Sequence, residues 1–402
     1  LADLTREDVP DSVLRAYGLD MLKFGDEYII PKPLDPRVML WESPAVAKAA
    51  METGAARKTI DIDEYREQLA YRMGKGEQVR HYIMNKARSS KALKRIVFSE
   101  GEDPKILRAA VQIVDEKLGV PVLIGRPEVI DVEFKHLGLE CCAEVVDPNN
   151  LPRYEAYVQA FYDLRKRKGV SLKEARKQVR DPNVLGPLMV KMGDADAFVA
   201  GVSHDYPEVI RPALQIHHTR PGINHVAGVY IMIVDNQVYL FTDATVNIDP
   251  SAEDLAEIAV LAAGFARQIG IEPKVALLSF SNFGSTPHRL SNKVRQAVEL
   301  LHQRQVDFAV DGEMQADTAV TPEIIDERYP FSQVRDANVL VFPSLESANI
   351  AYKLLARLGN AQAIGPILLG VGAPVHILQV GDEVRNIVNI AALAVMDAMG
   401  RE

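Results

Sequence analysis

The segment Ser279-Phe280-Ser281-Asn282-Phe283-Gly284-Ser285 carries the first chemical signal of this chain. It follows a β-rich run, Lys274 to Leu278, and precedes a helix-periodic stretch starting near Leu290. Small hydroxyl residues between strand and helix can present backbone N–H groups and a helix dipole to an anion, which suits a phosphate or pyrophosphate. A Ser/Gly-rich connection with a capped backbone has the same composition, so spacing alone leaves both readings open. The second signal is Val310-Asp311-Gly312-Glu313-Met314-Gln315-Ala316-Asp317, where acids follow a strand as ligand contacts or as solvated loop charges. Other constellations are missing. His217, His218, His225, His288 and His376 lack metal-like spacing with carboxylates, which makes them core or surface histidines. No nucleophile elbow precedes a helix.

Elements long enough to position these residues are available. At 402 residues the chain suffices for two or three domains and a large buried core. An apolar fraction of 48% and a charged fraction of 25% are those of a globular protein, and no run approaches the roughly 20 apolar residues of a membrane span. The net charge of −9 argues against nucleic acid as a partner, since the densest basic run is only Arg165-Lys166-Arg167-Lys168. Cys141 and Cys142 are the only cysteines and are adjacent, so neither a disulfide framework nor a zinc site is expected, and a cytoplasmic setting follows. Leu1 without a charged-then-apolar leader reads as a piece of a longer chain rather than a secreted protein.

Residues 1 to about 90 differ from the rest. Pro31, Pro33 and Pro36 punctuate an extended segment; a helical pattern runs from Ser43 to Met51, with Ser43-Pro44 as its start and Gly54 closing it, and a charged helix is expected around Ile62 to Lys86. From Lys94 onward strand and helix alternate. Strands are expected at Arg95 to Ser99, Pro121 to Gly125, Ala197 to Gly201, Gly228 to Val234, Lys274 to Phe280, Asp307 to Val310 and Val339 to Phe342. Helices are expected at Pro104 to Asp115, Ala252 to Gln268, Leu290 to Gln303 and Ser347 to Leu358. This alternation argues an α/β fold with mostly parallel sheets, with ligands at the carboxyl ends of strands.

Two motif sets carry resemblances. Ile30-Pro31-Lys32-Pro33-Leu34-Asp35-Pro36-Arg37, with Val46-Ala47 and Ala50-Met51-Glu52-Thr53-Gly54-Ala55-Ala56-Arg57, resembles the C-terminal end of bacterial malic enzymes. No residue set that would bind malate and a divalent metal lies there, and the nucleotide domain is missing. The SFS loop followed by Lys293-Val294, the DGE motif, and Ala337-Asn338-Val339-Leu340-Val341-Phe342-Pro343 with Ala348-Asn349-Ile350-Ala351-Tyr352-Lys353 resemble phosphotransacetylases. So does the end of the chain, Gly365-Pro366 through Pro374-Val375-His376-Ile377-Leu378-Gln379-Val380-Gly381 to Asn386-Ile387. Together they are similar to the large hybrid malic enzymes of bacteria, NADP-dependent and carrying a phosphotransacetylase-like domain at the C-terminus.

The resemblance implies two α/β subdomains with mostly parallel sheets and a cleft between them, residues 91–223 with 369–402 and residues 224–368, behind a short mainly helical extension, 1–90. It implies a ligand-binding set of Arg165, Arg211, Ser281, Asn282, Gly284, Ser285, Asp311 and Gln315. Guanidinium groups give bidentate contacts to phosphate or carboxylate oxygens, although Arg165 also suits a helix end before Gly169. Family members read PV-N-x-L-S-R-G…D-I where this chain has Gln379, Val380 and Asn386. Valine supplies no charge and an amide accepts no thiol proton, so the catalytic positions are expected to be inert. Asp205 and Tyr206 stand where the family has small hydroxyl residues, and Ala244 where it often has cysteine. The resemblance therefore implies an acetyl-CoA-binding regulatory domain, homodimeric and potentially hexameric in the longer protein, whose missing half holds NADP and a divalent metal. An active phosphate acetyltransferase and a purely structural dimerisation domain are the alternatives.

Overall fold

Asp103 accepts a hydrogen bond from the Lys105 amide at 2.8 Å and Pro104 opens the helix Pro104–Asp115, a start dictated by a capping carboxylate and a proline whose missing N–H is needed by no one. The same grammar starts Pro182–Lys191 behind Asp181 and Ala252–Gln268 behind Ser251. The computed structural model describes residues 1–401 except 8, 10–12, 15, 16, 20, 21, 34, 36 and 360, with the backbone alone at 67 and 70–73. Leu34 and Pro36 of the proline-spaced octet lie outside the described residues. The described residues fall into two compact units, Leu1–His81 and Tyr82–Glu402, which divide within the helix Lys75–Arg88.

The first unit is helical and corrects two expectations. Its helix Arg37–Glu52 starts well before Ser43, and Pro44 lies inside it. Asp35, 2% exposed, accepts from the Arg37 amide at 3.0 Å and from the Arg37 guanidinium at 2.7 Å, which fixes the earlier start; Pro44 then forgoes one backbone bond. The expected helix Ile62 to Lys86 is two helices, Ile62–Met73 and Lys75–Arg88. They break at Gly74, whose φ of 110° is one that a side chain resists.

The second unit contains two sheets. Strands β1 (Arg95–Phe98), β2 (Val120–Ile124), β3 (Glu144–Val146), β4 (Ala197–Ala200) and β11 (Val375–Ile377) form a parallel sheet in the order β11-β4-β1-β2-β3. Strands β5 (Ala227–Val234), β6 (Gln237–Thr242), β7 (Lys274–Leu278), β8 (Ala309–Met314), β9 (Val339–Val341) and β10 (Gln362–Leu369) form the other, ordered β10-β5-β6-β9-β7-β8. Its β6, β9, β7 and β8 are parallel, whereas β5 runs antiparallel to both neighbours. Asp235 and Asn236 make the two-residue β5–β6 turn at φ of 45° and 65°, the left-handed pair that such hairpins require.

The strand expected at Asp307 to Val310 is displaced to Ala309–Met314, so the acidic motif forms the strand instead of following it: Asp311 pairs with Ala276 and Gly312 with Leu277. The first core gathers Val97, Val122, Phe161, Phe198, Ile216 and Ile377; the second gathers Met232, Phe241, Leu278, Met314 and Leu340. Each such side chain contributes about 1.5–3 kcal/mol on burial. Against Phe198 the helix Pro182–Lys191 offers Gly186, where a Cβ would lie 2.4 Å from the ring. The last helix, Val384–Met399, is apolar nearly all round and correspondingly buried.

Candidate functional site

The carboxyl ends of β1, β4 and β11 converge. Glu100, 7% exposed, follows β1 and receives the chain leaving β4: Oε2 accepts from the amides of Gly201 at 2.8 Å and Val202 at 3.2 Å. Oε1 accepts from the Ser203 amide at 2.8 Å, the Ser203 hydroxyl at 3.0 Å and His204 Nδ1 at 2.9 Å. The segment after β11 joins them, since the Gly381 amide donates to the Val202 carbonyl at 2.9 Å. Asp205 stands at the N-terminus of the helix Tyr206–His217, where Glu208 accepts from its amide at 3.2 Å; the carboxylate suits that helix end.

The three exchanged positions are locally occupied. Gln379 Nε2 donates to the Tyr230 hydroxyl on β5, and Tyr230 stacks on Tyr352 with ring centroids 4.2 Å apart. Val380 is 62% exposed. Asn386 Nδ2 donates to Asp382 Oδ2 at 2.9 Å and to the Gly365 carbonyl at 3.3 Å. Asp382 also accepts from the Gln379 amide at 2.8 Å, and Lys105 Nζ holds the carbonyls of Gly381 and Asp382 at 2.7 and 2.9 Å. Burial pushes the Asp382 carboxyl up to about 6, against the lowering pull of these donors and of Lys105. Thr245 donates to Tyr206 at 3.4 Å, a further link from the first sheet's helices to the second sheet's loops.

At the ends of β7 and β8 the structure brings Ser281, Asn282, Gly284, Ser285 and Gln315 together, around Glu313. This carboxylate, 1% exposed, accepts from the Gly284 amide at 2.7 Å and the Ser281 hydroxyl at 3.0 Å. Asn282 and Gln315 bond reciprocally: Asn282 Nδ2 to Gln315 Oε1 at 3.0 Å, Gln315 amide to Asn282 Oδ1 at 2.7 Å. An anion bound through the Gly284 amide would have to displace a carboxylate. Asp311 accepts from the neighbouring Gly312 amide at 2.9 Å. Arg165 ends the helix Tyr154–Arg165 with its Nε buried and unpartnered, and Arg211 is exposed on Tyr206–His217 without an ion pair among the described residues. Among the described residues no bond joins either arginine to the SFS loop.

Glu100, Asp382 and Tyr230 were not singled out by the sequence, and His204 entered only as the histidine before Asp205 and Tyr206, with no role given to it. For Glu100 a signal existed: Ser99-Glu100-Gly101 directly follows a strand and precedes a helix start, the edge at which α/β folds place ligands. Ala244 is fully buried in the second core, so a change there repacks the interior. The buried Asp243 beside it accepts the amides of Gly228, Thr245 and Asn247 at 3.0, 2.9 and 2.7 Å and so shapes the loop after β6. Burial also lowers two histidines, His217 and His376, each to about 4. Among the described residues no cluster of three metal-ligating side chains occurs, and no helix is long and apolar enough to cross a membrane.

Comparison with known proteins agrees with this geometry. The chain is 40% identical over 407 aligned residues to an NADP-dependent malic enzyme of Escherichia coli, covering 99% of this chain and 53% of that protein. It therefore spans about half the length of the malic enzymes it matches. A phosphate acetyltransferase of Thermoanaerobacterium thermosaccharolyticum is 42% identical over 324 residues, 79% of this chain and 98% of that protein. The crystal structure of a phosphotransacetylase from Streptococcus pyogenes superposes with a TM-score of 0.75 at 39% identity, covering 79% of this chain and 97% of that one. With the family model for phosphate acetyl/butaryl transferase matching residues 78–395, the chain belongs to that family.

Proposed function

We propose that this chain is the regulatory, oligomerising and acetyl-CoA-binding domain of a hybrid malic enzyme, without phosphotransacetylase turnover of its own. The observation that carries the reading is the state of the exchanged positions: the Gln379 amide is spent on Tyr230, Val380 stands in solvent, and Asn386 is tied to Asp382 and Gly365. None of the three supplies a positive charge for a phosphoryl group or accepts a thiol proton. Arg211, exposed and unpaired among the described residues, keeps an anion contact available.

In the longer protein, malate would give pyruvate and CO2 with NADP, and NADP and a divalent metal would be held by the part outside this chain. Acetyl-CoA would act by its differential affinity for two arrangements of the assembly. A homodimer through this domain, extending to a hexamer in the cytoplasm, belongs to the same reading. It is supported by Ile350, Leu354 and Leu358, which line one face of the helix Leu345–Leu358 at 52, 52 and 79% exposure.

Calorimetric titration with acetyl-CoA tests the binding. The expected result is saturable heat that weakens about tenfold or more in Arg211→Ala, the cost of a lost charged hydrogen bond. A second reading, an active phosphate acetyltransferase, is favoured by the 42% identity to such an enzyme over nearly its whole length. A thioester-absorbance assay with CoA and acetyl phosphate separates the two, since turnover at the rate of ordinary enzymes would overturn the first.

A further inference from the structure

We infer that His204, oriented by Glu100, is a proton acceptor for the thiol of a coenzyme bound at the shared edge of β1, β4 and β11. The inference rests on the acetyl-CoA reading and deepens it. Glu100 already receives three backbone amides and the Ser203 hydroxyl, so its geometry is fixed from several directions and its oxygens act as acceptors. Toward His204 Nδ1, 2.9 Å away, it can then only accept, and the ring proton sits on Nδ1. Nε2 is left with a lone pair and no partner among the described residues, on a ring that is 38% exposed. A carboxylate behind a partly exposed imidazole whose far nitrogen has no partner among the described residues is the arrangement of a general base.

The location matters as much as the pair. Val202, two residues before His204, bonds the Gly381 amide, which places the dyad beside the segment that carries the exchanged positions. Asn386 cannot accept a proton there; His204 can. The step is simple: the S–H bond breaks, an Nε2–H bond forms, and the sulfur keeps the electron pair as a thiolate beside an imidazolium that Glu100 stabilises. No acyl transfer follows while Val380 stands where a positive charge would face the leaving phosphate, so the pair changes how the free coenzyme is held rather than restoring turnover. Glu100 at the end of β1 is the charged group in contact with the ring. Asp205 and Glu208 follow His204 in sequence at the start of the helix Tyr206–His217, and Asp382, whose carbonyl Lys105 holds, lies in the segment after β11.

The test is an ultraviolet titration of thiolate absorbance for free CoA bound to the 402-residue chain, native against His204→Gln, with binding checked by calorimetry. The surrounding charges are common to both proteins and cancel in the comparison. In the native protein the thiolate midpoint should fall about one to two pH units below that of coenzyme in solution, as thiols do beside an imidazolium. It should return to the solution value in His204→Gln, and in His204→Asn should the glutamine variant fold poorly. A native midpoint equal to that of free coenzyme, or one unmoved by either substitution while CoA still binds, would overturn the inference and leave the acetyl-CoA reading standing. If neither CoA nor acetyl-CoA binds the native chain, both are overturned.

Discussion

Gln379, on the segment after β11 of the first sheet, donates its side-chain amide to the hydroxyl of Tyr230 on β5 of the second. One side chain thus spans the two sheets, at the position where the family resemblance places a shorter serine. The bond places the exchange in a structural role: among the described residues the hydroxyl of Tyr230, on a residue 1% exposed, otherwise bonds only that of Tyr352 at 3.5 Å.

Gln379→Ser should therefore cost about 1–2 kcal/mol of stability, a net hydrogen bond plus a poorly satisfied buried hydroxyl, read as a lower urea midpoint at unchanged slope. Combined with Val380→Arg it should also raise acetyl exchange between CoA and acetyl phosphate by about 100-fold or more, since a preorganised charge is restored. A double variant as inactive as the native chain would show that other positions block the chemistry.

Asn386 and Asp382 compensate one another. The amide at 386 donates to the carboxylate at 382 across 2.9 Å, and an aspartate at 386 would set two carboxylates at that distance. Asn386→Asp is expected to destabilise the fold by about 1–3 kcal/mol at neutral pH, and Asp382→Asn in the same chain to relieve most of that loss. Additive effects in the double-mutant cycle would refute the coupling.

Much of this architecture was legible in the residues, and the failures have physical causes. Helices Pro104–Asp115 and Ala252–Gln268 match their expected bounds because a capping side chain marks each start and the apolar period runs unbroken. The short strands Glu144–Val146 and Val375–Ile377, three residues each, are too brief to show a period and were not anticipated. Pro44 misled because proline is more often a first-turn residue than an interior one, and the decisive bond, Asp35 to Arg37, lies outside the apolar pattern. For the site, motif order pointed to Ser281, Asn282 and Gln315, which the fold does assemble. That Glu313 would occupy their centre depends on β8 extending through the acidic motif, a tertiary pairing that no local spacing encodes.

Acid stability should reflect opposed groups. His376, 2% exposed, is held down to about 4 chiefly by burial, so the unfolded chain takes up a proton near pH 6.5 that the native one refuses until pH 4. Acidification across that window therefore costs stability, by about 2 kcal/mol at pH 4.5. Asp382 has the opposite sign: raised to about 6, it holds a proton in the native state that the unfolded chain has already lost, so stability rises as pH falls from about 6 toward 4. His376→Asn should flatten the acid loss and Asp382→Asn should steepen it, measured as urea unfolding at pH 7.5 and 4.5. Equal pH dependence in all three proteins would mean that neither group titrates as its burial requires.

The SFS loop gives the sharpest separation between holding the fold and holding a ligand. Ser281 is fully buried; its hydroxyl donates to Glu313 and accepts from the Thr286 amide at 3.0 Å, while Glu313 also takes the Gly284 amide. Removing the carboxylate strands the Gly284 N–H in a partly buried loop, so Glu313→Ala should lose about 2–4 kcal/mol and speed hydrogen exchange at Gly284. Glu313→Gln keeps an acceptor and should lose less. If this loop serves mainly as a strut, Ser281→Ala lowers stability by about 1 kcal/mol yet leaves acetyl-CoA affinity within about twofold, whereas Arg211→Ala does the reverse. A tenfold loss of affinity in Ser281→Ala with unchanged stability would instead return the loop to the ligand, and would require the Glu313 carboxylate to swing away when acetyl-CoA arrives.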